Sequence, residues 1–454
     1  MNMRVALFSP LSPLQTAVAD HVEGLLPYLA TFATLELFID DGYAPTNPNV
    51  LSNFNVYNYH DFPRLAAQYD VVMYHMGNEP SYHGYIYTML RQYPGIVVLH
   101  DLVLHHCIFG LTVAKGDIEG YLAEMRYAYG KEGEIVAAQI IAGHNPDLMY
   151  RYPLVERILD SSQGVIVHNH YALQQVRSRC PNLPVVCIPQ HFYLPDGVIH
   201  GEDRNTLREQ LGFEDRFVVA TYGIFGDKRL QVALRAFSRF RRVCPEAVYL
   251  LVGPIGSDIV NLVRGMGLES AVKIIGWQDT SSFVRYMLVA DLAIHLKYPH
   301  VGGTPYTPIR LLGLGIPTIV SGIPPLAEIP EDCCAKVELG DNEEDELLAV
   351  MEYLAAHEAI RQEMAENGRR YVQEVHDPRK VALQYESFIE QILSTQMTVP
   401  PSDRCARFWP EQLIADVAAI LAEWGVMEDD DYLLVPIAEA MASLNLHGQE
   451  TTDA

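Results

Sequence analysis

The sequence predicts an α/β protein with two doubly wound domains, each a parallel sheet covered by helices, facing a cleft and followed by a small helical C-terminal extension. Three observations lead there. Short β-branched apolar runs alternate with helical segments along most of the chain. The alternation stops in one polar, turn-rich stretch near residue 200 and then restarts. Finally, Val399-Pro400-Pro401-Ser402 opens a strongly acidic tail.

Taken in order, strands are expected at residues 4–9, 35–39, 71–75, 96–99, 165–167 and 185–188, then at 217–222, 248–252, 272–275, 292–294 and 318–320. The stretch PDGVIHGEDRN, residues 195–205, separates the two sets. It places a first Rossmann-like domain at 1–197 and a second at 198–377. A helix at 378–398 follows the break HDPRK and is expected to return to the first domain. The tail, 399–454, carries two candidate helices, about 410–424 and 433–446, around Glu428-Asp429-Asp430-Asp431. It is a candidate for self-association.

Composition excludes several classes of function. With 454 residues, 49% apolar and 20% charged, the chain is too hydrophobic for disorder and too long for one small binding module. A formal charge of −25 opposes nucleic acid, so none is expected as a partner, and any anionic ligand must be gripped by a local pocket. Residues 201–400 hold 20 of the 32 basic groups, which directs the search there. The seven cysteines are scattered without a Cys-x-x-Cys pair, so neither a disulfide framework nor a zinc site is expected, and a reducing, cytoplasmic setting fits best. The opening MNMRVALFSP reads as one strand instead of a leader, and no apolar run reaches the roughly 18 residues of a membrane span.

Two glycine-rich turns in the second domain carry the strongest chemistry. In TYGIFGDKRLQVALRAF a strand ends at Tyr222, Gly223 and Gly226 open a loop, and Lys228-Arg229 stand where a helix starts. Together these make a cradle of backbone amides, two cations and a helix dipole for an anion. The competing reading is a surface loop with solvated Lys and Arg. In GGTPYTPIRLLGLG a helix is expected to begin with Thr307 as cap and Pro308 at its first position, aiming amides at whatever lies near Gly302-Gly303-Thr304. A plain strand-to-helix turn is the alternative. In the first domain, His100-Asp101 close the strand of IVVLHD, where ligands of open α/β sheets bind. The segment MYHMGNEP adds Asn78 and other donors suited to a polyhydroxylated acceptor. His105 and His106 lack further ligands at suitable spacing, so no metal residue is expected.

The motifs IVVLHD, TYGIFGDKRLQVALRAF, LLVGPIG, IIGWQ, ADLAIHLKYP and GGTPYTPIRLLGLGIPTIVSGIPPLAEIP, in that order, resemble the retaining family 4 glycosyltransferases of GT-B fold, over roughly residues 1–395. The resemblance implies transfer of a sugar from a nucleotide sugar to an acceptor hydroxyl without metal or other cofactor; the acceptor could be a glycan, a lipid-linked sugar or a small molecule. It implies catalytic roles for His100, Lys228 and Arg229. Donor contacts would come from Gly223, Gly276, Trp277, Gly302, Gly303, Thr304 and Arg310, with Gln15, Asn78 and Asp101 on the acceptor side. Two departures stand out. Gly303 occupies the first place of the family's Glu-x7-Glu signature, with Arg310 near the second, and SPLSPLQTAVADH lacks the paired glycines of the acceptor loop. These leave an impaired scaffold or partner subunit as the alternative. An epimerase would need a carboxylate pair that is not evident.

Overall fold

The computed structural model describes residues 3–194, 203–223, 226 and 228–395, together with 417, 421, 426–427, 430 and 432–437 of the tail. The boundary stretch 195–202, loop residues 224, 225 and 227, the 399–402 linker and most of both tail helices lie outside the described residues. Residues 432–437 are helical.

Seven strands build the first sheet: β1 (Met3–Phe8), β2 (Ala33–Ile39), β3 (Asn55–Asn58), β4 (Val71–Met76), β5 (Gly95–Leu99), β6 (Ser162–Val167) and β7 (Val185–Cys187). Six build the second: β8 (Val218–Tyr222), β9 (Val248–Val252), β10 (Val272–Gly276), β11 (Leu292–His295), β12 (Thr318–Ser321) and β13 (Ala335–Val337). The orders are β3-β2-β1-β4-β5-β6-β7 and β10-β9-β8-β11-β12-β13. Every pairing is parallel. Each order reverses once, between β1 and β4 and between β8 and β11. These are the switch points where open α/β sheets bind ligands, at the carboxyl ends of the strands.

Burial on both faces explains the near-continuous apolar strands. In β1, Val5 and Leu7 face one core while Ala6 and Phe8 face the other. In β8, Val219 faces one core while Val218, Ala220 and Tyr222 face the other. The segment between β5 and β6 is long and includes the helix Ile118–Ile141, whose Tyr121 and Met125 enter the core that Ala6 and Phe8 face.

The helix Pro378–Ser394 leaves the second sheet and packs on the first. Asp377 caps it, its carboxylate accepting from the amides of Arg379 and Lys380 at 2.9 Å. Val381, Tyr385, Phe388 and Ile392 join the core beneath β1. Gly164 of β6 leaves the room for Ile392, since a β-carbon there would lie 2.7 Å from its Cδ1. No described helix is long and apolar enough to cross a membrane.

Candidate active site

At the second switch point, β8, β9 and β10 each give way to a glycine with positive φ: Gly223 (97°), Gly253 (148°) and Gly276 (77°). These turns interlock, because the amide of Gly223 donates to Val252 O and that of Gly253 to Gly276 O, both at 2.9 Å. The result is a backbone rim at the carboxyl edge of the sheet. Trp277, directly beyond Gly276, is 52% exposed at the rim. Gly223 faces the helix Tyr306–Leu314, for a β-carbon on it would lie 3.9 Å from Thr307 Oγ1.

That helix starts two residues earlier than the sequence suggests. Pro305, not Thr307, holds the cap position in extended conformation, and Pro308 falls in the first turn, where a missing N–H is harmless. The amides left at this helix end are those of Tyr306 and Thr307. Gly315 closes the helix at φ 71°.

Lys228 is 6% exposed, and its ammonium lies 3.1 Å from both ring nitrogens of His295 at the end of β11. His295 is held neutral, its pKa pushed well below normal by burial and then by the Lys228 charge. Arg229 takes a left-handed conformation (φ 46°) directly before the helix Leu230–Phe240, which costs roughly 1–2 kcal/mol for a residue with a β-carbon. Its guanidinium is committed within the domain. Nε donates to both carboxylate oxygens of Glu343 at 2.8 Å, Nη2 adds another bond, and Glu343 is 2% exposed. Of the two expected cations, then, Lys228 stands at the switch point and Arg229 braces the loop that carries it.

On the facing sheet, Asp101 Oδ2 accepts from the Asn78 amide at 3.0 Å. The Asn78 side chain accepts from Cys107 N (3.0 Å) and reaches His106 Nδ1 (3.1 Å). Asn78 and Asp101 therefore form one fixed unit. Gln15 is exposed just before Thr16, which caps the helix Ala17–Leu29.

The Gly302-Gly303-Thr304 turn lies against the first domain, where it is sewn down by hydrogen bonds. Val103 N donates to Val301 O (2.9 Å), Asn169 Nδ2 to Gly302 O (3.1 Å) and Thr304 Oγ1 (2.9 Å), and Gln190 Nε2 to Thr304 O (3.0 Å). Asn169 does double duty, its Oδ1 capping the helix His170–Arg179 through Ala172 N at 2.7 Å. A β-carbon on Gly303 would overlap the carbonyl oxygen of His100 and lie 3.0 Å from Asp101 Oδ1. Glycine at position 303 is thus a packing requirement of the seam. Arg310, 5% exposed, crosses the same seam to Asp20 Oδ2 at 3.4 Å. Burial raises the Asp20 pKa and Arg310 pulls it partly back.

His100 sits within a group that the sequence did not disclose. His21, His75, His100, His168 and His191 are all at most 7% exposed, and their rings touch in a chain. His75 Nδ1 is 3.0 Å from His100 Nε2. Burial, then the neighbouring histidines, holds these imidazoles neutral: His75 and His191 fall to about 3, and His21 and His100 lie well below the usual value. His168 falls to about 4 through burial, its Nδ1 bond to Ile188 O partly opposing. Five scattered positions give no spacing signal; their one common trait is placement at or near strand ends or on the first helix. His21, His100 and His168 are the described residues best placed to hold a metal ion. Cys107, Cys187, Cys244, Cys333 and Cys334 are free thiols, but Cys180 is disulfide-bonded, against the expectation of uniformly reduced cysteines.

Residues 203–371 match the family described as glycosyl transferases group 1. Among solved structures the chain is similar to sucrose-phosphate synthase from Thermosynechococcus elongatus, with 18% identity over 86% of this chain and 99% of that one, TM-score 0.62. It is similar to HepE of Anabaena in complex with UDP-glucose, with 16% identity over 86% and 100% of the two chains, TM-score 0.59. A glycosyltransferase from Rickettsia africae aligns at 12% identity over 87% and 100%, TM-score 0.60. No curated protein matches the chain by sequence. These likenesses establish the two-domain GT-B architecture, and with the family match they support a glycosyltransferase.

Proposed function

With a glycosyl transferases group 1 domain at residues 203–371 as the premise, we propose that the chain is a retaining glycosyltransferase that moves a sugar from a nucleotide donor to an acceptor hydroxyl. The observation that carries this reading is the meeting of Gly223, the Tyr306–Leu314 helix end and the Lys228 loop at the second switch point. The structural relative solved with UDP-glucose makes a sugar nucleotide the first donor class to test.

In this reading the donor diphosphate lies against the rim of Gly223, with the base toward Gly276 and Trp277. Breaking the anomeric bond leaves negative charge on the diphosphate. Lys228 and the amides of Tyr306 and Thr307 stabilise that charge in a water-poor site, so no ion is needed to bridge the phosphates. The acceptor hydroxyl attacks from the leaving-group face and passes its proton to the departing phosphate oxygen, so the anomeric configuration is kept. Asn78 and Asp101 position the acceptor, and His100 contacts the donor sugar. Arg229 acts through Glu343 by holding the loop in place.

The commitment of Arg229 to Glu343 and the sewn-down Gly302–Thr304 turn favour a second reading, a scaffold that binds a sugar nucleotide without turning it over. A panel of donors incubated with simple glycosides, followed by NMR of the anomeric proton in any product, separates the two. Product with retained configuration supports the enzyme; inverted product, or donor binding without product, counts against it.

A further inference from the structure

We propose that His21, His100 and His168 form a three-histidine site for a divalent cation of the zinc class, on the first-domain side of the cleft. This inference stands apart from sugar transfer, because it needs only the packing of the first domain.

The geometry is the first support. The three ring centroids form a nearly equilateral triangle, with His21–His100 at 5.0 Å, His21–His168 at 5.2 Å and His100–His168 at 5.0 Å. Zinc binds imidazole nitrogen at about 2.0–2.1 Å, which puts the ring centre about 3.2 Å from the ion, and tetrahedral angles then space the rings by about 5.2 Å. One nitrogen from each ring already lies within 4.8 Å of the others. Closing that set to coordination distance calls for rotation of the rings more than for movement of the backbone.

The second support is the hydrogen bonding. His168 Nδ1 donates to Ile188 O at 2.9 Å, which fixes the tautomer and leaves Nε2 with its lone pair; that Nε2 has no protein partner among the described residues. A metal-bound imidazole is ordinarily oriented in this way, the far nitrogen donating to a carbonyl or carboxylate. His21 is 2% exposed, and neither of its ring nitrogens has a protein partner among the described residues. Burying such groups unmatched is unfavourable, and a bound ion would satisfy them. His75 engages His100 through Nδ1···Nε2, and His191, with its ring 4.7 Å from that of His21, walls the group.

The third support is electrostatic. Burial keeps all three imidazoles neutral, which is the ligating form. The Arg310 charge acts on His191 at the edge of the group, and Arg310 is paired with Asp20 at 3.4 Å. Neutral nitrogen donors suit zinc, cobalt or nickel and not magnesium or calcium. Three protein ligands leave a fourth position open to water or an oxygen ligand. One ring cannot serve an ion and a sugar together, so loading excludes the donor contact that the family resemblance gives His100.

The test uses the tag-free full-length chain. Elemental analysis after dialysis and a Co²⁺ titration followed by visible absorption are expected to give close to one metal ion per chain, with the bands of nitrogen-ligated cobalt. His21→Gln and His168→Gln are each expected to weaken Co²⁺ binding at least tenfold. Circular dichroism checks their folding. If either variant fails to fold, the wild-type stoichiometry and a Zn²⁺-dependent rise in Tm decide. Metal well below one equivalent with no saturable cobalt spectrum overturns the site, as does equal Co²⁺ affinity in two folded variants.

Discussion

The two sheets share one topology and finish their carboxyl edges in opposite ways. The second sheet ends in backbone: three positive-φ glycines, a helix end and a buried lysine set against a neutral histidine. The first ends in side chains, five buried imidazoles and the Asn78–Asp101 pair. A backbone rim with a fixed cation suits an anion whose shape repeats among ligands, such as a diphosphate. A wall of imidazoles and fixed polar side chains suits a ligand read by its particular groups. The contrast teaches that topology sets where a site lies, while the chemistry at the strand ends sets what it takes.

Acidification probes the histidine-rich half most strongly. Burial lowers His83, His105 and His376 from 6.5 to about 4. The unfolded chain binds these protons as pH falls below 6.5, whereas the native state refuses them until near 4. Stability is therefore complete above pH 6.5 and declines through that window, by up to about 3 kcal/mol per group. Urea unfolding at pH 7.5, 6 and 5 reads the decline, and a flat midpoint down to pH 5 would show these groups are not buried as described.

The seam offers a sharper cut. Gly303→Glu supplies the carboxylate that the sequence resemblance places there but forces a β-carbon into the His100 carbonyl, so a loss of about 2–3 kcal/mol is expected instead of a gain in turnover. A more active variant of unchanged Tm would mean that the turn does not sit against His100. Asn169→Ala removes a helix cap and the bonds to Gly302 and Thr304 together. Loss of about 1–2 kcal/mol is expected in thermal melts. Gly223→Ala strains a φ of 97° and should lower stability or nucleotide affinity by about 1 kcal/mol, with an unchanged melt and titration arguing that the turn relaxes freely.

The same contrast explains what the sequence disclosed. The eleven apolar runs expected as strands are all strands, whereas β3 and β13 were missed. Both are short edge strands: NVYN is largely polar, and Ala335–Val337 is only three residues long. The second-sheet site was legible because its parts are contiguous, with glycines and Lys228 a few residues apart. Even there the Thr307-Pro308 pair misled by two residues, since proline is tolerated throughout a first turn, and the Glu343 partner of Arg229 lies 114 positions away. The histidine triangle was not legible at all, because residues 21, 100 and 168 converge only when separate strands and a helix pack. Most of the tail lies outside the described residues, and its expected role in self-association is carried forward unchanged.

The most direct test of the central claim is calorimetric titration of UDP and a panel of sugar nucleotides into wild-type protein and Lys228→Ala, with turnover measured on the same samples. Loss of a charge-assisted contact of about 1.5–3 kcal/mol predicts a ten- to hundredfold drop in affinity or rate with the fold retained. Wild-type protein that binds no nucleotide, or a folded Lys228→Ala that binds and turns over as wild type does, would contradict the account.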